Sequence, residues 1–305
     1  MKGIVLKSTG SWFEVMTDDK TVISSRVRGQ LRLRDIASTN PVAVGDHVTL
    51  LMQEDGTGTI VEIAPRKNYI IRKSIKLSKQ TQILATNIDL AVLVVTPIVP
   101  KTSTGFIDRF IAAAESFHIP VALVFNKMDL LADSPDYVKD NYLDIYEPLG
   151  YPCFCISTLK NENTEPLKEF IKDKISLFAG HSGVGKSSLI NLLCPNLNLK
   201  VGSISKTHLK GKHTTTFAEM HAYDENSFLI DTPGIREFVN IDFNQSEISH
   251  YFKEMLPLIN NCQFNNCLHE NEKNCAVKEA VESGKIHPMR YYNYLSILHN
   301  EDFFK

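Results

Sequence analysis

Apolar residues alternate with polar ones in short runs through the first 65 residues of this chain. They predict strands at Lys2–Lys7, Trp12–Met16, Thr21–Arg26, His47–Met52 and Gly58–Ile63. A period of two gives each strand one buried face. Turn signals separate the runs, among them Thr9-Gly10-Ser11 and Asp55-Gly56-Thr57-Gly58. Short strands packed this densely predict a small barrel.

The pattern changes at residue 82, after a basic and polar stretch, residues 66–80, that has the composition of a linker. Continuous apolar runs now alternate with helical segments. Strands are predicted at Ile88–Thr96, Pro120–Phe125, Cys153–Ser157, Ile175–Ala179 and Ser227–Ile230. Helices are predicted at Asp108–Phe117, Asp136–Pro148, Glu165–Lys174 and Ser187–Leu193. Strands apolar on both faces, separated by helices, belong to a largely parallel sheet covered on both sides. From Phe243 the pattern turns helical, with helices at Ala276–Ser283 and His287–Leu298, and it carries cysteine and histidine. The chain therefore divides into residues 1–68, 69–240 and 241–305, a multidomain α/β protein with a β-barrel first and a helical domain last. The turn Val44-Gly45-Asp46-His47-Val48 resembles one found in OB-like barrels. Such barrels bind RNA or single strands, and others serve only as docking platforms; both options stand.

Composition narrows the classes. The chain has 305 residues, 43% hydrophobic and 22% charged, as in ordinary globular domains. A net charge of -2 excludes a basic nucleic-acid coat, although residues 1–80 hold 13 Lys/Arg against 8 Asp/Glu. Lys200, Lys206, Lys210 and Lys212 lie in a stretch without acids. These segments suit an anionic partner or a solvated surface equally. The N-terminus lacks the apolar core of a signal peptide, and no apolar run approaches the ~20 residues of a spanning helix. A cytoplasmic protein with no membrane partner is expected, so its cysteines are not a disulfide framework. Cys153, Cys155 and Cys194 are expected as small buried apolar residues.

The chemistry lies in four motifs. Gly180-His181-Ser182-Gly183-Val184-Gly185-Lys186-Ser187-Ser188 follows a predicted strand and opens a predicted helix. That is the context of a phosphate-binding loop, whose backbone N–H groups and helix N-terminus face anionic oxygens. Lys186 would neutralise β- and γ-phosphate charge, and the Ser187 hydroxyl would hold Mg²⁺. Asp231-Thr232-Pro233-Gly234 ends a later strand: Asp231 would hold Mg²⁺ through water, and the Gly234 N–H would meet the γ-phosphate. Between them, Thr214, Thr215 and Thr216 offer a further Mg²⁺ ligand; Thr215 is the candidate, and the run leaves the choice open. Asn126-Lys127-Met128-Asp129 lies upstream of all three. The Asp129 carboxylate can accept from guanine N1–H and the 2-amino group; adenine presents neither, which disfavours an ATPase. Ser157, at the end of the next predicted strand, would bring a backbone amide to the guanine oxygen. Thr158 follows it where GTP-binding domains more often have alanine. In ordinary GTP-binding domains the phosphate loop precedes the base motif. Here the order is rotated, which predicts a circularly permuted P-loop GTPase domain.

With these motifs and the terminal cysteines, the whole length resembles the RsgA family of ribosome small-subunit-dependent GTPases. The resemblance rests on the OB-like barrel, NKMD, GHSGVGKSS, GKHTTT, DTPG and the C-terminal Cys/His cluster. It implies GTP hydrolysis to GDP and phosphate, stimulated by the small ribosomal subunit, and a role in late subunit maturation with rRNA as partner. A monomer is expected. The competing outcome is a GTP-regulated RNA-binding module whose hydrolysis is incidental. Ile235 stands where many GTPases place a water-orienting glutamine, and isoleucine has no donor or acceptor. His213, beside the threonines, is the local candidate for that role beside Lys186; as a surface residue of a loop it would have none.

Cys262, Cys267, His269 and Cys275 offer three thiolates and one imidazole within fourteen residues. This is a structural zinc set, tetrahedral and closed, with one Zn²⁺ per chain expected. The spacing is not the paired CxxC form, and the family resemblance supports the assignment. Tyr291, Tyr292 and Tyr294 are expected to pack rather than stack on bases. Lys278, Lys285 and Arg290 suit either an rRNA backbone or solvent.

Overall fold

The computed structural model describes residues 1–28, 41–73, 81–134, 136–195, 197, 218–231 and 243–301. The lysines at 200, 206, 210 and 212 lie outside the described residues.

Five strands close the barrel: β1 (Lys2–Ser8), β2 (Phe13–Thr17), β3 (Val22–Val27), β4 (His47–Met52) and β5 (Gly58–Ile63). β1 pairs antiparallel with β2 and β4, β2 with β3, and β4 with β5, while β3 and β5 run parallel. The circuit leaves no open edge within the barrel. Phe13, Val15, Ile23, Val48, Leu50 and Ile60 fill its interior, as the alternation predicts.

The stretch 66–80 is not a plain linker. β6 (Tyr69–Lys73) pairs antiparallel with β7 (Thr81–Thr86). The polar residues around this ladder are used inward, which a composition pattern does not reveal. Asn68 Nδ2 donates to Ile88 O at 2.8 Å, and its Oδ1 accepts from Ile88 N at 2.8 Å. Buried Asp46 meets Arg66 at 2.6 Å and accepts from Thr86 Oγ1 at 2.9 Å. Gly45 has φ +90, and a Cβ there would lie 2.2 Å from Thr86 O. The Val44–Val48 turn is thus the joint between the barrel and the central domain.

The central sheet contains β8 (Leu90–Val95), β9 (Val121–Phe125), β10 (Cys153–Cys155), β11 (Ile175–Ala179), β12 (Glu219–Ala222) and β13 (Phe228–Asp231). Their order is β10-β9-β8-β11-β13-β12, parallel except for the β12–β13 hairpin. Among the described residues, the longer helices of this region are α1 (Thr104–Ser116), α2 (Glu165–Phe170) and α3 (Lys186–Leu193). α1 begins earlier than its apolar pattern predicts, because Ser103 Oγ accepts from Phe106 N at 3.2 Å and caps it. The expected helix Asp136–Pro148 is broken into a π turn (Lys139–Leu143), one α turn (Asp144–Tyr146) and a 3₁₀ turn (Glu147–Leu149). Tyr142 and Tyr146 both turn into the core there, and Tyr142 OH donates to Thr102 O at 3.0 Å. Cys153 and Cys155 are partly buried, packed against the core from the outer strand β10; Cys194 is buried as expected.

β12 also pairs with barrel strand β1 at Lys7 and Glu219, whose side chains form an ion pair at 2.8 Å. One eleven-stranded sheet therefore runs through both domains.

The C-terminal region packs two 3₁₀ segments, Gln245–Tyr251 and Leu256–Asn261, with α4 (Ala276–Glu282) and α5 (Pro288–Leu298). Phe252, Met255, Val277, Tyr294 and Ile297 share one core with Ala112 of α1. Tyr294 packs as expected, whereas Tyr292 is exposed. Arg290 is not a surface cation: it is 1% exposed and paired with Asp108 and Glu254. Among the described residues, no helix is long and apolar enough to cross a membrane.

Candidate nucleotide and metal sites

β11 delivers the chain to the loop 180–187 at the carboxyl end of the parallel sheet, where open α/β sheets bind ligands. Gly180 lies against β8: a Cβ would stand 2.5 Å from Val94 O. Gly185 has φ +92, and its Cβ would stand 2.4 Å from Asn126 Nδ2. Only glycine fits either position without displacing a neighbour. Val184 anchors the loop in the core, while Ser182 and Gly183 face outward. Lys186, Ser187 and Ser188 open α3, all three partly buried.

The base motif reaches the same place. Asn126 is fully buried and has three bonds to other segments. Its Nδ2 donates to Val184 O at 2.9 Å, and its Oδ1 accepts from Thr158 N at 3.1 Å and Thr158 Oγ1 at 3.2 Å. Lys127, in the left-handed region at φ 65, donates from Nζ to Val99 O at 2.8 Å and Gly183 O at 2.6 Å. Desolvation holds the Lys127 ammonium below its ordinary pKa, partly offset by Asp129. Met128 N donates to Ile156 O at 3.1 Å, and Ser157 Oγ donates to Asp129 Oδ1 at 2.6 Å. One carboxylate oxygen is thus held by the protein, which fixes the plane of the group. The sequence gives no sign that Thr158 works here. Its hydroxyl adds a second bond to Asn126, one that alanine lacks.

Across the loop, the Lys186 ammonium is paired with the Asp231 carboxylate. Lys186 of the loop and Asp231 at the end of β13 therefore share one spot. His181 packs against Phe106 of α1, ring centroids 3.8 Å apart. Loop 96–103 also borders the site through Val99 and Pro100, and sequence motifs gave no hint of it. Thr215, His213 and Gly234, with Ile235, lie outside the described residues.

The four predicted metal ligands come together in the C-terminal domain. Their ligand atoms all lie within 4.8 Å of one another. Cys262 Sγ is 3.5 Å from His269 Nδ1 and 3.9 Å from Cys275 Sγ, and Cys275 Sγ is 3.4 Å from His269 Nδ1. A tetrahedron with Zn–S arms of ~2.3 Å has S···S edges of ~3.8 Å, so the set fits zinc in size and donor type. His269 uses the left-handed region, φ 57, to turn Nδ1 inward. Tyr291 OH donates to His269 O and Tyr294 OH to Leu268 O, both at 2.7 Å. Lys278 Nζ donates to Glu272 O at 3.2 Å, tying the loop to α4 rather than reaching outward. The four donors, three sulfurs and one imidazole nitrogen, converge on one point.

Two family profiles match the chain: RsgA GTPase over residues 63–240 and RsgA N-terminal domain over residues 2–60. The Small ribosomal subunit biogenesis GTPase RsgA of Bacteroides fragilis is 48% identical over 302 residues, covering 99% of this chain and 97% of that one. Its counterpart from Flavobacterium johnsoniae is 46% identical, covering 99% and 94%. The crystal structure of YjeQ from Thermotoga maritima superposes with a TM-score of 0.81 at 36% identity, covering 98% of this chain and 97% of that one. The structure of YloQ, described as a circularly permuted GTPase, gives 0.75 at 28% identity, covering 98% and 94%.

Proposed function

The chain belongs to the RsgA GTPase family, and from that premise we propose how this molecule performs the family's work. It is a GTPase of small ribosomal subunit biogenesis. It binds GTP between Asn126–Asp129, Ser157 and the loop Gly180–Ser188, and hydrolyses it to GDP and phosphate on the small subunit during late maturation. The observation that carries this reading is Asn126, whose one side chain bonds both the phosphate loop and the segment after Ser157. Two motifs in rotated order become one site through it.

Asp129 accepts from the guanine edge, with Ser157 Oγ fixing its orientation. Backbone N–H groups of the loop and Lys186 meet the phosphates, where charge builds in the transition state. Lys186 and Asp231 neutralise each other in this structure. With nucleotide bound, Lys186 would face phosphate oxygens and Asp231 would be free to hold Mg²⁺ through water, so neither charge would be left bare. Ser187, Thr215 and, through water, Asp231 would hold Mg²⁺, which would supply charge neutralisation at the phosphates. His213 takes the water-orienting role that Ile235 cannot.

Zinc is the metal that suits the Cys262, Cys267, His269 and Cys275 set, one per chain, and it braces the loop that Tyr291 and Tyr294 hold. The three functional units are residues 1–68, 69–240 and 241–305, the first and last facing rRNA. The protein acts as a monomer in the cytoplasm, where small subunits mature. Incubation with GTP or ATP and purified small subunits tests the reading. GDP and phosphate form from GTP alone; equal hydrolysis of ATP would refute it.

A further inference from the structure

α1 touches the nucleotide loop at one end and the C-terminal domain along its length. In its first turn Phe106 lies against His181, the second residue of the phosphate loop, with ring centroids 3.8 Å apart. Two residues on, and so on a different face of the helix, Asp108 is completely buried. It accepts from Arg290 Nη1 at 2.5 Å and from Asn293 Nδ2 at 2.6 Å. Arg290 donates in turn to both oxygens of Glu254, at 2.6 and 3.1 Å, and its guanidinium lies 4.4 Å from the Phe252 ring centroid. Further along α1, Arg109 donates to Asn300 Oδ1 at 3.0 Å, and Glu115 pairs with Lys253 at 3.1 Å.

A buried group of three charges is an expensive way to join two domains, since apolar residues of similar volume often hold as well. What it adds is register. Any other seating of α1 leaves Asp108 or Arg290 buried without its partner, and that is strongly disfavoured. The helix therefore has one seat on the C-terminal domain, and Phe106 carries that seat to His181.

We propose that Arg290 is a positioning residue for the nucleotide site: through Asp108 it fixes α1, and through Phe106 and His181 α1 fixes the phosphate loop. The proposal rests on Gly180–Ser188 being the phosphate seat. By linkage the effect is reciprocal, so nucleotide binding favours the docked C-terminal domain as much as docking favours nucleotide.

The test is a double-mutant cycle on the full-length protein, with GDP affinity read by calorimetry and with metal content and circular dichroism as controls for folding. Arg290→Lys and Phe106→Leu each weaken GDP binding about tenfold. Because both interrupt one path, the double variant is no weaker than the worse single. Multiplying losses in the double variant, or unchanged affinity in either folded single, overturns the proposal. If Arg290→Lys does not fold, Glu254→Gln takes its place in the cycle, with a smaller single loss and the same criterion. Lys186→Ala separates the two levels. Undiminished GDP binding in that variant refutes the phosphate seat itself, whereas lost binding beside an additive cycle refutes only the coupling.

Discussion

Asn126 donates its side-chain amide to the carbonyl of Val184 at 2.9 Å, across 58 residues of chain. The bond crosses from the end of β9 to the loop 180–188, so the proposed base-reading and phosphate-binding segments are built against each other. Permutation leaves this contact intact, because it changes only where the chain is cut and joined.

Asn126→Ala should therefore damage phosphate binding as well as base binding. It leaves the buried Val184 carbonyl and the partly buried Thr158 N–H without their partner, at about 1–3 kcal/mol for the buried carbonyl. GTP and inorganic triphosphate should both bind at least tenfold more weakly by calorimetry. Normal triphosphate affinity with weakened GTP affinity would confine Asn126 to the base.

Asp129→Asn should shift preference from GTP towards xanthosine triphosphate. The amide donates where the carboxylate accepted, which suits a 2-oxo group. Competition binding with the two nucleotides gives the ratio directly. A variant that still prefers GTP as strongly as the parent would remove Asp129 from the base site.

Zinc analysis by mass spectrometry should give one ion per chain, and Cys267→Ser should lower both zinc content and the stability of the C-terminal domain. The closed site couples metal binding to folding of the loop between α4 and the 3₁₀ segment before it. Tyr291 and Tyr294, whose hydroxyls hold the ligand loop, should lose near-ultraviolet dichroism on chelation. A metal-free protein with an unchanged thermal transition would contradict a structural zinc.

His213→Ala should lower subunit-stimulated kcat about a hundredfold while nucleotide affinity stays within twofold, as expected for a group acting near the transition state. Subunit binding is measured alongside, because a disturbed loop could lower turnover through docking alone. Unchanged stimulated turnover would assign the water-orienting role elsewhere.

The strands were legible because their patterns have a clean cause. β8 and β9 are buried on both faces and apolar throughout, β11 departs from that apolar run only at buried Ser176, and the barrel strands alternate because only one face is covered. The residues gathered around the loop 180–188 and in the Cys/His cluster were legible as candidates because phosphate, guanine and zinc each demand fixed donor types in a fixed context. What escaped was polar residues serving inward. Asp108 and Arg290 look like surface charges until the fold pairs them. Arg66 and Asn68 look like linker until Asp46 and Ile88 meet them. Thr158 looks like a departure until its hydroxyl reaches Asn126. A pattern of polarity records which residues can hydrogen-bond but not which partners the fold will bring.

The most direct test of the account is multiple-turnover GTP hydrolysis by the purified protein, alone and with purified small or large ribosomal subunits, at equal concentrations. The account predicts slow turnover alone, a large rise in kcat with the small subunit and none with the large. Equal rates in all three conditions, with GTP bound normally, would contradict a small-subunit-dependent GTPase and leave a GTP-regulated binding module in its place.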